Sequence, residues 1–508
     1  LGVSTTIARL REALYAADYT YDAVSALLGT TAQAALGRNE TLPGLRATTG
    51  GSPIETLTRI WLLQATVPAE AAEAALPGLV DELCSVGILE RSISEVAARV
   101  DLRPYGVAGD ARGDNLWIAS DLTPGLDGGP QRVGSDHVLG ISPAATSLAQ
   151  LTLRDPVARA LDLGTGCGVQ SLHLAEHVDQ VVATDVNARA LWLTEVNAEL
   201  NGISTGPTGA IDIRNGSFFA PVAGERFDLI VTNPPFVISP ATGERLVYRD
   251  SGLPGDRVVE DIIRAIPDYL NPGGTGQVLA NWAIMRDQPW DERLAEWLRP
   301  GGCDAWVVQR EVLDLPSYVE LWLKDAGLHP ATGSLGTADY QQRYDTWLSW
   351  FEASGIEAVG FGWINLRAAG ADQPDLRLEE WRWDIEQPLG EENGAHFDRA
   401  ALVRGLSDDA LLSSRPVLRS DVVQETYGPA GAEDPSQIVL HQQLGMRRRR
   451  LVDTVATAVA GVSDGELSLA QILAAIGELL GEIDVNARLA EVRELVAEGF
   501  LELDLPVS

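Results

Sequence analysis

Ala158-Arg159-Ala160-Leu161-Asp162-Leu163-Gly164-Thr165-Gly166-Cys167-Gly168 is the stretch that decides the fold. Its first part, Ala158 to Leu163, is a short apolar run of strand length. Glycines then occupy every second position, and a helical pattern begins near Val169. Glycine lets the chain turn tightly and lets a ligand approach the backbone beside a helix N-terminus. The spacing is G-x-G-x-G. Val169 stands where the dinucleotide fingerprint G-x-G-x-x-G needs its third glycine, so that fingerprint fails. Next comes Val181-Val182-Ala183-Thr184-Asp185, a second strand that ends in an acid placed to accept bonds from two ribose hydroxyls. Cys167 reads as a small side chain that the loop can accommodate.

A second motif follows at a suitable distance. The apolar run Phe227-Asp228-Leu229-Ile230-Val231-Thr232 reads as a buried strand and leads into Asn233-Pro234-Pro235-Phe236. Two consecutive prolines lack backbone donors and fix their own φ angles, so they end the strand in a rigid, outward-facing loop. Such a loop offers an amide side chain, backbone carbonyls and an aromatic face at one spot. Taken alone, the tetrapeptide is equally a plain strand-ending turn. The ordered series of glycine loop, Asp185 and NPPF carries the stronger reading.

On these residues the chain resembles the class I S-adenosylmethionine-dependent methyltransferases, in the subgroup with an [Asn/Asp]-Pro-Pro-aromatic motif. The resemblance covers roughly residues 135 to 285. It implies an α/β fold with a Rossmann-like, seven-stranded core; on either side, mainly helical segments followed by short strands resemble winged-helix-like domains. It implies that Gly164, Thr165, Gly166 and Gly168 line a site for S-adenosyl-L-methionine, with Asp162 near the amino-acid end. Asp185 would bind the ribose, with Val186 and Asn187 beside it. Asn215-Gly216-Ser217-Phe218 resembles the loop that flanks the adenine, which makes Ser217 and Phe218 cofactor contacts. Gly140-Ile141-Ser142-Pro143-Ala144-Ala145-Thr146 occupies the position that often closes over the methionine part.

The implied reaction is N-methylation of a planar NH2 group, with Asn233, Pro234, Pro235 and Phe236 as the catalytic loop. An amide or exocyclic nitrogen is a weak nucleophile because its lone pair is delocalised. Bonds from its NH2 to the Asn233 side-chain oxygen and the Pro234 carbonyl would localise that pair, and Phe236 would stack on the flat group. Alignment can contribute roughly 7–11 kcal/mol at best. Protein glutamine, ribosomal RNA guanine N2 and adenine N6 all present such a group. Tyr248-Arg249-Asp250-Ser251-Gly252-Leu253-Pro254-Gly255-Asp256, Ile262-Ile263-Arg264 and Tyr269-Leu270-Asn271-Pro272-Gly273-Gly274 resemble the corresponding region of release-factor glutamine methyltransferases. Phe at position 236 is seen more in the ribosomal RNA group. The expected partner is therefore a macromolecule, protein slightly ahead of RNA or DNA. A non-catalytic S-adenosylmethionine-binding docking protein is the alternative of another class.

Composition constrains the partner further. The 508 residues carry 72 acidic and 38 basic side chains, a formal net charge of −34. A globally acidic surface opposes phosphate binding. Met446-Arg447-Arg448-Arg449-Arg450 is a local exception, read either as a phosphate-contacting patch or as the solvated start of a helix. Cys84, Cys167 and Cys303 are too widely separated for disulfide or zinc spacing, so no metal is expected. No apolar run reaches 18 residues and Leu1 to Leu10 lacks a signal-peptide core, so a cytoplasmic protein without a membrane span is expected.

Four segments are expected: an N-terminal helical, winged-helix-like domain (1–125), the methyltransferase domain (126–385), a linker (386–435) and a C-terminal winged-helix-like domain (436–508). Helical patterns fill 5–37, with Gly29 as a stop, then Pro53–Leu63 and Pro68–Val86. Strands are expected near Gly87–Arg91, Arg99–Tyr105 and Asn115–Ser120. Such units bind nucleic acid, dock proteins or support the fold. Tyr340, Tyr344, Trp347, Trp350 and Phe351 fall at helical spacing and read as core. Glu357–Arg367 and Leu376–Ile385 read as a closing pair of strands. The linker is rich in Gly, Pro, Ser and acids, with a short helix near Arg399–Leu406.

Overall fold

The glycine-loop strand lies in the interior of an eight-stranded sheet. A computed structural model describes residues 3–106, 116–129, 134, 136–240, 253–331, 336–431, 434–481 and 483–505. In chain order the strands are β1 (Val157–Leu163), β2 (Val178–Asp185), β3 (Ile211–Asn215), β4 (Phe227–Thr232), β5 (Leu270–Met285), β6 (Asp304–Asp314), β7 (Ile356–Arg367) and β8 (Leu376–Glu380). In space they run β3-β2-β1-β4-β5-β7-β6-β8. β3 through β5 pair in parallel, and β7 enters antiparallel to both β5 and β6. The last four residues of β1 and of β4 are all buried, as expected for strands covered on both faces.

The expectation of seven strands therefore gains one. β8 pairs in parallel with β6 and not with β7, so the two segments expected as a closing pair are not neighbours. β8 is a five-residue, half-buried edge strand, and such a strand does not reveal its partner through its own pattern.

Helices α1 (Val169–Leu174), α2 (Ala188–Leu200), α3 (Arg257–Tyr269) and α4 (Trp290–Leu298) connect the strands. After β6 the chain makes two further helices, α5 (Leu315–Asp325) and α6 (Thr337–Ala353), before β7. Trp347 and Phe351, four apart on α6, are buried in a cluster with Tyr318, Val319, Trp322 and Val359; Tyr340, Tyr344 and Trp350 pack against it. The aromatic spacing is thus that of a core face. Because strand order runs one way from β1 to β3 and the other way from β4 to β5, β1 and β4 flank the point where it reverses. Ligands of open α/β sheets bind at the carboxyl ends of the strands there.

The chain divides into two compact units, 1–149 with 155–380, and 150–154 with 381–508. The first includes helices Val3–Ala16 and Tyr21–Leu36, the latter broken at Gly29 by a non-helical backbone (φ 68°, ψ 172°). A small antiparallel sheet follows, with Glu95–Ala98 between Val67–Pro68 and Leu89–Arg91. Asp101–Tyr105 then pairs with Leu116–Ser120.

The second unit holds helices Gly390–Gly405 and Asp408–Ser413 and strands Arg415–Leu418 and Val422–Tyr427 in the segment read as a linker. Its acids and glycines masked a few deeply buried apolar residues, Leu389, Phe397 and Leu411. The arginine run is also corrected: Arg449–Val452 is a strand, not a helix start. Arg449 bonds Glu425 at 2.9 Å and Arg450 bonds Glu498 at 2.7 Å. Arg448 faces Glu498 and lies over the Trp381 ring, 4.4 Å from its centroid. Helices Thr454–Gly461, Leu469–Leu480 and Val485–Ala497 complete this unit, with strand Leu501–Asp504 paired to Arg415–Leu418.

Among the described residues no helix is long and apolar enough to cross a membrane. None of their His, Cys, Asp and Glu side chains form a group of three or more able to hold a metal ion.

Candidate active site

A cavity of about 630 Å³ opens at the carboxyl ends of β1 and β4. Its walls hold Asp162, Gly164, Thr165 and Gly166 from the β1 loop, and Asp185, Val186 and Asn187 from the end of β2. Ser217 and Phe218 follow β3, and Asn233, Pro234, Pro235 and Phe236 follow β4. Both motifs thus meet in one space, and the Thr232 hydroxyl ties their strands by donating to the Leu163 carbonyl at 2.7 Å.

The glycine loop divides its labour. Gly164 (φ 76°) and Gly166 (φ 58°) have left-handed backbones, and nothing lies within 4 Å of where a Cβ would stand. They leave open space beside the backbone, a cradle that a side chain would begin to fill. Gly168 does not line the cavity. It caps α1 (φ 85°), and a Cβ there would meet the Thr194 methyl at 3.1 Å and the Thr194 Cα at 3.3 Å. Its role is close packing against α2. Cys167 is buried, which pushes its thiol pKa up to about 12 and keeps it unreactive.

Asp162 is 1 % exposed, and its Oδ2 accepts from the Thr165 hydroxyl (2.7 Å) and the Ser171 hydroxyl (2.6 Å). Burial raises its pKa to about 6, against the opposing pull of those hydroxyl donors. Asp185 accepts from the Gly166 amide (3.0 Å) and the Asn187 amide (2.9 Å), so it braces the glycine loop. Burial raises its pKa too. Asn187 caps α2 through the Arg189 amide (2.9 Å) and donates to the Asp136 carbonyl (2.9 Å). Val186 and Phe218 are among the exposed large apolar side chains, and Phe218 takes a left-handed backbone (φ 46°).

The NPPF loop is held from behind. Val237 and Ile238 are buried against α5 and α6. Phe236 is half-buried, with its ring edge-on to Trp322 at 6.4 Å. Asn233 lines the cavity, and its Oδ1 is buried and has no hydrogen-bond partner among the described residues. A buried acceptor of this kind is expensive to leave unmade.

Several wall residues were not legible in the motifs. Asp136, His137, Val138 and Leu139 line the cavity together with Gly140, Ser142, Ala144 and Ala145 of the expected upstream segment, whose last part is the start of helix Pro143–Leu151. Gln170 holds that helix by donating to the Ala145 carbonyl at 2.8 Å. Leu253 and Ile262 also reach the wall, whereas Tyr248–Gly252 lies outside the described residues.

Residues 142–299 match the family described as Methyltransferase small domain. The match spans β1 through α4 and contains the glycine loop, Asp185 and NPPF, so the resemblance drawn from those motifs holds. Residues 16–99 match a domain of unknown function (DUF7059). Release factor glutamine methyltransferase of Xylella fastidiosa is 34% identical over 149 residues, 27% of this chain and 49% of that protein. Its counterpart from Geobacter sulfurreducens is 34% identical over 163 residues, 30% and 54% of the two chains. Ribosomal RNA small subunit methyltransferase C of Alcanivorax borkumensis is 31% identical over 140 residues, 28% and 35%. The chain spans about half the length of the glutamine methyltransferases it matches.

Proposed function

We propose that this chain is an S-adenosylmethionine-dependent N-methyltransferase that acts on the planar NH2 group of a macromolecule, with a protein glutamine amide as the favoured acceptor. The observation that carries this reading is Asn233, which lines the β1/β4 cavity and whose buried Oδ1 has no partner among the described residues. Leaving it unpaired costs about 1–3 kcal/mol in the free protein, a cost that a purely structural loop has no reason to bear. This counts against a non-catalytic docking protein.

The residues present fit the cofactor. Gly164 and Gly166 leave open space at the loop, and Asp162, Asp185, Asn187, Ser217 and Phe218 supply polar and apolar walls around it. When bound, S-adenosylmethionine supplies a methyl group activated by its positively charged sulfur. The chain's own work is then alignment. Asn233 Oδ1 and the Pro234 carbonyl accept from the acceptor NH2, Phe236 supports its flat face, and the prolines hold both oxygens still. Such preorganised acceptors act where positive charge develops on the nitrogen in the transition state. The nitrogen loses its proton after transfer, so no separate general base is needed.

Protein is favoured over nucleic acid by the net charge of −34 and by the similarity to glutamine methyltransferases. Phe236, with the similarity to the Alcanivorax enzyme, supports a ribosomal RNA base as the second reading. The mainly helical N-terminal part of the first unit, and the second unit (150–154 with 381–508), then serve as winged-helix-like docking parts for the macromolecule. The test is transfer of labelled methyl from S-adenosylmethionine into fractionated lysate. Nuclease-resistant label in protein is expected, and Asn233→Ala should abolish it while cofactor affinity stays within a few-fold. A normal rate in that variant sinks the assignment.

A further inference from the structure

The back wall of the NPPF loop is built by α5 and α6, the pair of helices between β6 and β7. Both lie beyond residues 142–299, the part of the chain that matches the methyltransferase small domain. α5 starts firmly: Asp314 caps it by accepting from the Ser317 amide at 2.8 Å, and Pro316 occupies its first turn. One turn in, Tyr318 is completely buried and faces Trp322, Phe351 and Phe361.

Its hydroxyl is the point of contact with the loop. The phenol oxygen accepts from the backbone N–H of Ile238 at 2.8 Å and from Asn281 Nδ2 of β5 at 3.2 Å. Ile238 is itself 0 % exposed and lies two residues after Phe236, in a stretch without regular secondary structure. Loop backbone buried this deeply needs a hydrogen-bond partner, and for the Ile238 N–H a side chain from another element supplies it. A phenol oxygen on a packed helix is a rigid partner, because the ring cannot swing without displacing its aromatic neighbours.

We infer that Tyr318 is a positioning residue for the catalytic loop: its hydroxyl, by holding the Ile238 N–H, sets where Asn233 and Phe236 stand in the cavity. This rests on the methyltransferase reading for its catalytic consequence, but the positional claim does not depend on turnover. Asn281 is the second member of the arrangement, since it ties the same oxygen to β5.

The experiment compares the full chain with Tyr318→Phe, Asn281→Ala and Trp347→Phe. The third thins the same aromatic cluster without touching the bond. The first readout is hydrogen–deuterium exchange of the free protein. Tyr318→Phe should speed exchange in peptides covering 233–240 by about 10-fold, the loss of one buried bond, while β1 and β4 stay protected. Trp347→Phe should leave that segment at the wild-type rate.

The second readout is kinetic. Tyr318→Phe should lower kcat by about 10- to 100-fold, because a small displacement of aligned groups is costly. The cofactor dissociation constant and the acceptor KM should change less than 3-fold. Asn281→Ala should move both readouts in the same direction by a smaller factor, and it decides the matter if Tyr318→Phe does not fold. Unchanged exchange over 233–240, or an equal effect from Trp347→Phe, overturns the inference. A wild-type protein that transfers no methyl overturns the proposed function instead, and the exchange result still decides the positioning role.

Discussion

Asn197→Ala should be among the more damaging single changes near the site, although Asn197 belongs to no motif. The residue sits on α2 and is 0 % exposed. Its amide accepts from the Ala119 N–H (2.7 Å) and donates to the Ala119 carbonyl (2.8 Å) and to the Cys167 carbonyl (2.7 Å). One turn on, Asn201 does the same for Trp117, accepting from its N–H at 2.9 Å and donating to its carbonyl at 2.8 Å. The geometry explains the pair. Four helical residues rise about 6.0 Å and two strand residues about 6.6 Å, so amides at i and i+4 reach alternate residues along one strand edge. The two asparagines act as a substitute strand for Leu116–Ser120 and join it to the glycine loop.

Removing Asn197 leaves three backbone groups without partners. Each buried, unsatisfied group costs about 1–3 kcal/mol, and water entering the vacated space favours the low end. The expected loss is therefore about 3 kcal/mol of stability in the first unit, with weakened S-adenosylmethionine binding because the Cys167 carbonyl is released. Urea unfolding followed by tryptophan fluorescence measures the first. Hydrogen exchange at 116–120 locates it. A loss below about 1 kcal/mol, with exchange at 116–120 unchanged, refutes the reasoning.

Two further outcomes follow from the site. The Asp162 pKa is raised in the folded chain to about 6 from an ordinary 3.8. The native state therefore holds an extra proton between those values, and stability falls as pH rises through that window before levelling off above it. The full difference is about 3 kcal/mol. The stability of Asp162→Asn relative to wild type should therefore rise by most of that amount, about 2.4 kcal/mol, between pH 4 and 7, and a flat difference contradicts the assignment. The glycines offer a paired test. Gly168→Ala should cost about 2 kcal/mol or more, from left-handed backbone strain plus the contact with Thr194 Cα. Gly164→Ala pays only the strain, about 1–2 kcal/mol, but narrows the cradle. Calorimetry should find Gly164→Ala losing more cofactor affinity than stability, and thermal melts should find Gly168→Ala losing more stability.

The parts legible in the sequence were those written in local strings. Glycine spacing, an acid at a strand end and a proline-stopped strand each depend on neighbours in the chain, and the structure gathers Gly164, Asp185 and Asn233 around one cavity. Gly168 marks the limit of that legibility. A motif identifies a glycine but not what approaches it, and here the neighbour is Thr194 on α2. Asn197, Gln170 and Tyr318 were invisible because each acts on backbone 25 to 80 residues away. Nothing in a residue's own surroundings in the chain encodes such a partner. The eighth strand was misjudged because an edge strand's pattern is compatible with more than one neighbour. The helix Gly390–Gly405 was under-read because its buried side, Gly390, Asn393, Gly394, His396 and Phe397, carries only one large apolar side chain, Phe397.

The arginine run bears on the choice of acceptor. From composition it was the best phosphate contact that an otherwise acidic chain could offer. In the structure Arg449 is bonded to Glu425, Arg450 to Glu498, and Arg448 and Arg447 face Glu498 and Glu386 at 3.8 and 3.9 Å. A phosphate taking any of these guanidinium groups must displace a carboxylate and then sit beside it. Repulsion offsets much of the gain, and the counterion release that drives nucleic-acid binding is reduced, because those charges are already neutralised. A basic protein segment meets the opposite situation. The excess of carboxylates attracts it over a distance of about a Debye length, and the cavity then needs to recognise only an amide. Asn233 and the Pro234 carbonyl can do that with two acceptors and no cation. The pairing of the arginine run therefore supports the proposed choice of a protein acceptor, whereas the NPPF loop takes any planar NH2 group and does not discriminate between them.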